Sequence, residues 1–184
     1  TKDLIDRFGY FMPLGVAITG VCAFVFLAVA QNYRFGANDP QVQISEDLAS
    51  RFSVGEDPRF SINNQATDIA KSLSPFVIVY DNNEQVLVSS AILDTQVPQL
   101  PKGVLEYAKN HGGHRLSWQP KPGVRMASVI TPYDTGFVLV GRSLREVEAR
   151  KLLLLKETVL VWALIMFGTF AATLLFVPKS SKKI

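Results

Sequence analysis

Two kinds of hydrophobic pattern alternate along this chain. Residues 10–30, YFMPLGVAITGVCAFVFLAVA, run for 21 positions without a charge, and residues 159–177, VLVWALIMFGTFAATLLFV, run for 19 more. A membrane-crossing helix needs about 20 predominantly apolar residues. A buried helix of that length in a soluble core would show polar positions every few residues. Transmembrane helices are therefore expected at residues 10–31 and within 152–178. A cleaved signal peptide is the alternative for the first, because FLAVAQN resembles a cleavage site. The apolar core of a signal peptide, however, is usually about 7–15 residues.

Between the two runs the periods are those of a globular domain, expected over residues 32–151. Asp39-Pro40 reads as a helix start, with Asp as N-cap and Pro at the first helical position. Val42, Ile44, Leu48 and Phe52 then share a side, while Glu46 and Asp47 lie on the solvated one. A second helix is expected over 66–73, with Ile69, Ala70 and Leu73 inward. The period then changes. PFVIVYD and QVLVSSA flank Asp81-Asn82-Asn83-Glu84 as a hairpin, since Asn tolerates the left-handed backbone of tight turns. PKGVLEYAKNHGG predicts a short helix with Val104, Leu105 and Ala108 inward, ended by Gly112-Gly113. HRLSWQP, GVRMASVITPY and GFVLVGR predict three more strands, separated by Pro- and Gly-containing turns. The fold class is α+β, with a five-stranded antiparallel sheet and flanking helices that cover one hydrophobic face.

The last predicted strand runs into the second apolar segment without a linker. Gly141 is expected to end the strand sharply, and Ser143-Leu144-Arg145-Glu146 has the spacing of a capping box. No Pro or Gly intervenes between Ser143 and Trp162, so one continuous helix should enter the bilayer.

Charge adds an orientation. The flank at residues 1–9 carries Lys2 and Arg7, and the tail at 179–184 carries Lys179, Lys182 and Lys183. By the positive-inside rule both termini are expected in the cytoplasm and the domain outside it. Residues 32–150 hold 12 Lys or Arg and 13 Asp or Glu, so the net charge of +3 comes from the flanks. That distribution gives no support to nucleic-acid binding. The single cysteine, Cys22, lies in the first apolar run, so no intrachain disulfide holds the domain.

Candidate chemistry is sparse. His111 and His114 lack the Cys or carboxylate companions of a metal set and read as solvated residues at a helix end. Glu46-Asp47 and Glu56-Asp57 are adjacent acids that do not share a helix face. The chain contains no G-x-S-x-G, H-E-x-x-H, P-loop or G-x-G-x-x-G pattern, so no enzymatic role and no cofactor is expected. Gly9, Gly15, Gly20, Gly168, Ala171 and Ala172 offer small surfaces for helix approach, and Pro13 is expected in the first turn of its helix.

The order helix, strand, strand, helix, three strands, helix, framed by two apolar segments, resembles the extracytoplasmic PAS-like sensor modules of bacterial membrane receptors, including the Cache type. The residues that carry the resemblance are SPFVIVYDNNEQVLVSS, PKGVLEYAKNHGG and VRMASVITPYDTGFVLVGRSLREVEARK, within 38–151. The resemblance implies a long helix leaving the first membrane segment, a five-stranded antiparallel sheet, and a last strand leading back to the membrane. It also implies a small-molecule pocket between sheet and helices, where Arg125 would pair a ligand carboxylate and Tyr80, Tyr107, Trp118 and Tyr133 would supply walls. The competing expectation is that Arg125 faces solvent on the open side of the sheet. Gly141, Ser143 and Glu146 would relay a signal at the junction.

Such receptors carry a cytoplasmic output domain, whereas this sequence stops seven residues past Val177 and opens on Thr1 rather than Met. Either it is a fragment of a sensor, or it is a stand-alone accessory subunit whose outer domain docks on a larger membrane complex. The partners expected are the lipid bilayer, a protein partner or second copy through the membrane helices, and a small-molecule ligand.

Overall fold

The computed structural model describes residues 2–36, 38–62 and 66–176. They fall into two compact units, one within Arg34–Glu148 and one formed by the described residues of 1–33 and 149–184. The basic tail expected at 179–184 lies outside the described residues.

The helical unit is built from α1 (Lys2–Gly36) and α5 (Arg145–Phe176). Both contain spans long and apolar enough to cross a membrane, Phe11–Tyr33 and Arg145–Phe176, each with a mean hydropathy of 2.3. Only 6% and 0% of these spans are buried, unlike the core helix of a soluble protein. The helices touch in antiparallel register. Phe11 meets Phe170 edge-on with ring centroids 5.5 Å apart. One turn on, Gly15 lies against Met166. After a further turn, Trp162 Nε1 donates to Thr19 Oγ1 at 3.0 Å. The shielded positions recur every three or four residues, through Phe11, Gly15, Ile18, Cys22, Phe26 and Val29 on α1 and Leu154, Thr158, Trp162, Met166 and Thr169 on α5. Of the small residues expected to line this contact, Gly15 does so, while a side chain at Gly9, Gly20 or Gly168 would meet nothing. Pro13 is not in a first turn, because α1 begins at Lys2; it sits in the helix interior. There it forgoes one backbone bond, a loss that membrane helices tolerate.

The sheet unit contains α2 (Asp39–Ser53), α3 (Pro58–Ser61), β1 (Thr67–Asp68), β2 (Phe76–Asp81), β3 (Val86–Ser89), β4 (Ala91–Ile92), α4 (Val104–His111), β5 (His114–Lys121), β6 (Val124–Tyr133) and β7 (Gly136–Ser143). Five strands form one antiparallel sheet in the order β3-β2-β7-β6-β5, and β1 pairs with β4 in a small parallel ladder. The expected α+β class with a five-stranded antiparallel sheet is what the structure contains.

Coverage differs from expectation, because both faces of the sheet are packed. Ile78, Ile130 and Leu139 face α4, with Phe76, Trp118, Met126 and Leu105 in the same cluster. Val79, Val138 and Val140 face the other way, toward Leu48, Ala49 and Phe52 of α2. The six residues Gly136 to Gly141 are consequently all buried, as befits a central strand covered on both sides.

Three local expectations shift. The N-cap of α2 is Asn38 rather than Asp39, and its inward face is Gln41, Ser45, Leu48, Ala49 and Phe52. Val42 and Ile44 are only half-buried. No helix forms over 66–73. Asp68 accepts from the Ala70 N–H at 3.0 Å through its side chain, and its carbonyl accepts from the Ser72 N–H at 2.8 Å, so a turn replaces the helix. In the β2–β3 hairpin the left-handed residue is Glu84 (φ 62°) rather than an Asn. The Asp81 carboxylate fixes that turn by accepting from the Asn83 and Gln85 N–H groups, both at 2.8 Å.

Candidate functional site

The junction between β7 and α5 is where sheet becomes helix within a single residue. The Leu144 N–H donates to the Arg125 carbonyl at 2.9 Å, continuing the β6–β7 ladder, while its own carbonyl accepts from the Glu148 N–H at 2.8 Å, the first helical bond. Leu144 thus belongs to both elements. Ser143 Oγ accepts from the Arg145 N–H at 3.3 Å, and Arg142 reaches Glu146 at 3.4 Å. Ser143 is the last strand residue and α5 begins at Arg145, one residue later than a Ser143 capping box requires.

Gly141 does not end the strand. It pairs with Phe76 and Ser128 inside the sheet, and a Cβ there would overlap the ring of Phe76. The residue is small because an aromatic ring packs flat against its backbone.

Two arginines tie this junction to the β1–β2 turn. Arg145 Nη2 donates to the Lys71 carbonyl at 2.7 Å and Nη1 to that of Ala70 at 3.4 Å. Arg142 Nε donates to the Leu73 carbonyl at 3.0 Å. On the opposite side Arg125 Nη1 pairs with Glu148 Oε1 at 2.8 Å, both side chains about half exposed. An exposed pair of that kind contributes at most about 1 kcal/mol. The guanidinium–carbonyl bonds matter more, because they satisfy carbonyls that the turn itself leaves open.

The same turn lines the larger of two described clefts in the sheet unit, about 520 Å³ in volume and walled by Leu48, Ile62, residues 66–68, Ser72, Ser74, Pro75, Val77 and Ser90. That volume falls in the range of small-molecule sites, about 300–1,000 Å³. The wall mixes an apolar floor with hydroxyls and one carboxylate, Asp68. Lys71 at 3.2 Å and the Ala70 N–H hold that carboxyl below its usual range. A second cleft of about 280 Å³ lies on the α4 side, between Tyr80, Leu105, the β2–β3 turn and residues 97–102.

The five residues expected to form a ligand pocket are not brought together. Arg125 is exposed and engaged with Glu148. Tyr80 and Trp118 are buried in the α4-side core, where burial pushes the Tyr80 hydroxyl pKa up. Tyr133 lies on the other side of the sheet, its ring edge-on to Phe52 at 5.5 Å. Tyr107 is on the exposed face of α4, stacked on His111 at 4.0 Å and tilted against His114 at 4.5 Å. None of the five lines the larger cavity; Tyr80 lines the smaller. Besides Leu48, Val77 and Ser90, the residues that do line the larger one fall at 61–62 and 66–75, whose one signal in sequence is a density of Ser and Thr.

Compared with known proteins, the chain matches no family model, no curated protein and no solved structure.

Proposed function

We propose that this chain is a membrane-anchored, extracytoplasmic PAS-like binding module, without catalytic activity of its own, in which occupancy of the larger cavity is felt at the first turn of α5. The observation that carries this reading is the double role of residues 68–73. The turn lines the cavity through Asp68 and Ser72, and it is held at the β7–α5 junction by Arg142 and Arg145. A ligand that moves the turn must strain or release those bonds. The sequence of elements supports the reading: a helix before the sheet, five antiparallel strands, and a last strand that turns directly into an apolar helix.

Hydrogen exchange of the full chain in lipid nanodiscs tests it, with a panel of amino acids, amines, small carboxylates and sugars. At least one compound should raise the thermal midpoint and slow exchange both at the Ser72 amide and at the Glu148 amide. Arg145→Ala should speed exchange in the turn roughly fivefold, the effect of losing about 1 kcal/mol of hydrogen bonding. It should also abolish the ligand effect at Glu148. The reading fails if no compound protects both segments, or if the Arg145→Ala variant still transmits protection to Glu148.

A second reading, an accessory subunit that docks its outer domain on a larger complex, is favoured by the bare connection after α2. Val54 there and Phe60 in the short α3 that follows are 84% and 89% exposed. Phe60→Ser would then cost a co-purifying membrane partner while leaving the thermal midpoint unchanged.

A further inference from the structure

α5 carries two charges in an apolar neighbourhood, Lys156 and Glu157. Their helix neighbours three and four positions away are Leu152, Leu153, Leu154, Val159, Leu160 and Val161, so no residue on the same helix can pair with them. Among the described residues neither has an ion-pair partner. Five of those six neighbours are themselves exposed, by between 51% and 61% for all but the half-shielded Leu154.

The pair stands just before the uncharged run of α5, and the antiparallel register sets it beside apolar residues of α1. Steps of four residues from Thr19–Trp162 bring Lys156 and Glu157 level with Val25 and Phe24, inside the uncharged run of α1. That run continues to Ala30, about 8 Å further at 1.5 Å per residue. A lysine can snorkel toward the headgroups, but a glutamate is too short to cover that distance. Charges at such positions face a partner or a wet cavity.

We infer that the α5 face bearing Lys156 and Glu157 is the contact between two copies of this chain, related by a two-fold axis along the membrane normal. Copies inserted in the same sense bring their α5 helices together in parallel. Adjacent residues differ by about 100° around a helix of 3.6 residues per turn, so Lys156 and Glu157 flank the line between the two axes. The two-fold then sets Lys156 of each copy opposite Glu157 of the other, giving two reciprocal ion pairs and no like-charge contact. The inner stripe of α5, through Thr158 and Trp162, stays on α1, so pairing leaves the intrachain contact intact.

Energy transfer between labelled full-length copies in phosphatidylcholine vesicles tests this, over a range of protein-to-lipid ratios. A Lys109→Cys label on exposed α4, in a Cys22→Ser background, gives a single attachment site. The parent should show saturable transfer. Lys156→Glu alone, or Glu157→Lys alone, should raise the midpoint ratio at least tenfold, because like charges then oppose across the axis. The double swap Lys156→Glu with Glu157→Lys restores the pattern and should return the midpoint to within about threefold of the parent. Circular dichroism and vesicle flotation confirm folding and insertion of each variant. A floating parent without concentration-dependent transfer overturns the pairing, as do single swaps that pair like the parent or a folded double swap that does not recover. A parent that fails to float overturns instead the membrane reading beneath it.

Discussion

Gly141→Ala separates two physical roles for one residue. If the glycine served to end β7, an alanine would be tolerated, because Gly141 is not among the residues with positive φ and its backbone suits any side chain. Replacing a strand glycine would then stabilise the fold by roughly 0.5–1 kcal/mol. The structure demands the opposite. A Cβ at 141 overlaps the ring of Phe76, which is 1% exposed and wedged in the α4-side core with Ile78 and Leu139. The ring cannot tilt into solvent, and overpacking of that kind costs about 1–3 kcal/mol. Setting the two terms against each other predicts a net loss of about 1–2 kcal/mol. Denaturant unfolding of the full chain in detergent measures it, with Trp162→Phe leaving the buried Trp118 as the fluorescent reporter. Phe76→Leu should be destabilising alone yet should relieve part of the Gly141→Ala defect, since a smaller side chain clears the new methyl. Unchanged or raised stability in Gly141→Ala, or strict additivity in the double variant, would refute the packing argument.

Two further outcomes follow from buried and paired polar groups. Gln41, on the inward face of α2, is 0% exposed, and neither of its amide atoms has a partner among the described residues. Gln41→Leu should therefore stabilise the chain by about 1–3 kcal/mol, and a loss of stability would show that the amide is paired after all. On the surface, Arg51 and then Ser61 hold the Glu56 carboxyl down from 4.5 to about 2. A depressed carboxylate contributes stability above its ordinary range and loses it as pH falls through the lowered value. Glu56→Gln should slightly lower neutral stability and flatten the acid limb between pH 4.5 and 2, leaving there the smaller dependence from Asp68. An acid limb identical to that of the parent would contradict the pairing.

The elements legible in the sequence are those whose determinants are local. The strand-forming runs and the Pro- and Gly-containing turns between them gave β5, β6 and β7, and Gly112 ended α4 in the left-handed conformation that its type predicts. The apolar runs gave both long helices because uninterrupted runs of about 20 uncharged residues match the length of a membrane span. Where the structure departs from the local pattern, a tertiary partner outweighs the local rule. Ser45 faces inward because Thr131 Oγ1 donates to Ser45 Oγ at 2.9 Å, a contact 86 residues away that no helical period reports. The 66–73 segment is amphipathic enough for a helix, yet Asp68 turns it and the β1–β4 ladder fixes it.

The candidate site was the least legible part for the same reason. Arg125 drew attention as a charge in an apolar strand, but a strand alternates, and its side chain falls on the rim where Glu148 of the following helix meets it. The arginines that bear on the cavity, Arg142 and Arg145, carry no signal in the sequence that sets them apart from other charges beside a helix start. Their importance lies in what they donate to, the backbone carbonyls of Ala70, Lys71 and Leu73. A carbonyl has no residue-type signature, so such a contact is invisible until the fold sets the two segments side by side. Any mechanism routed through it should therefore tolerate side-chain changes at 70 and 73 while failing on loss of Arg145. That asymmetry follows from donation to backbone, and a relay built on side-chain pairs could not reproduce it.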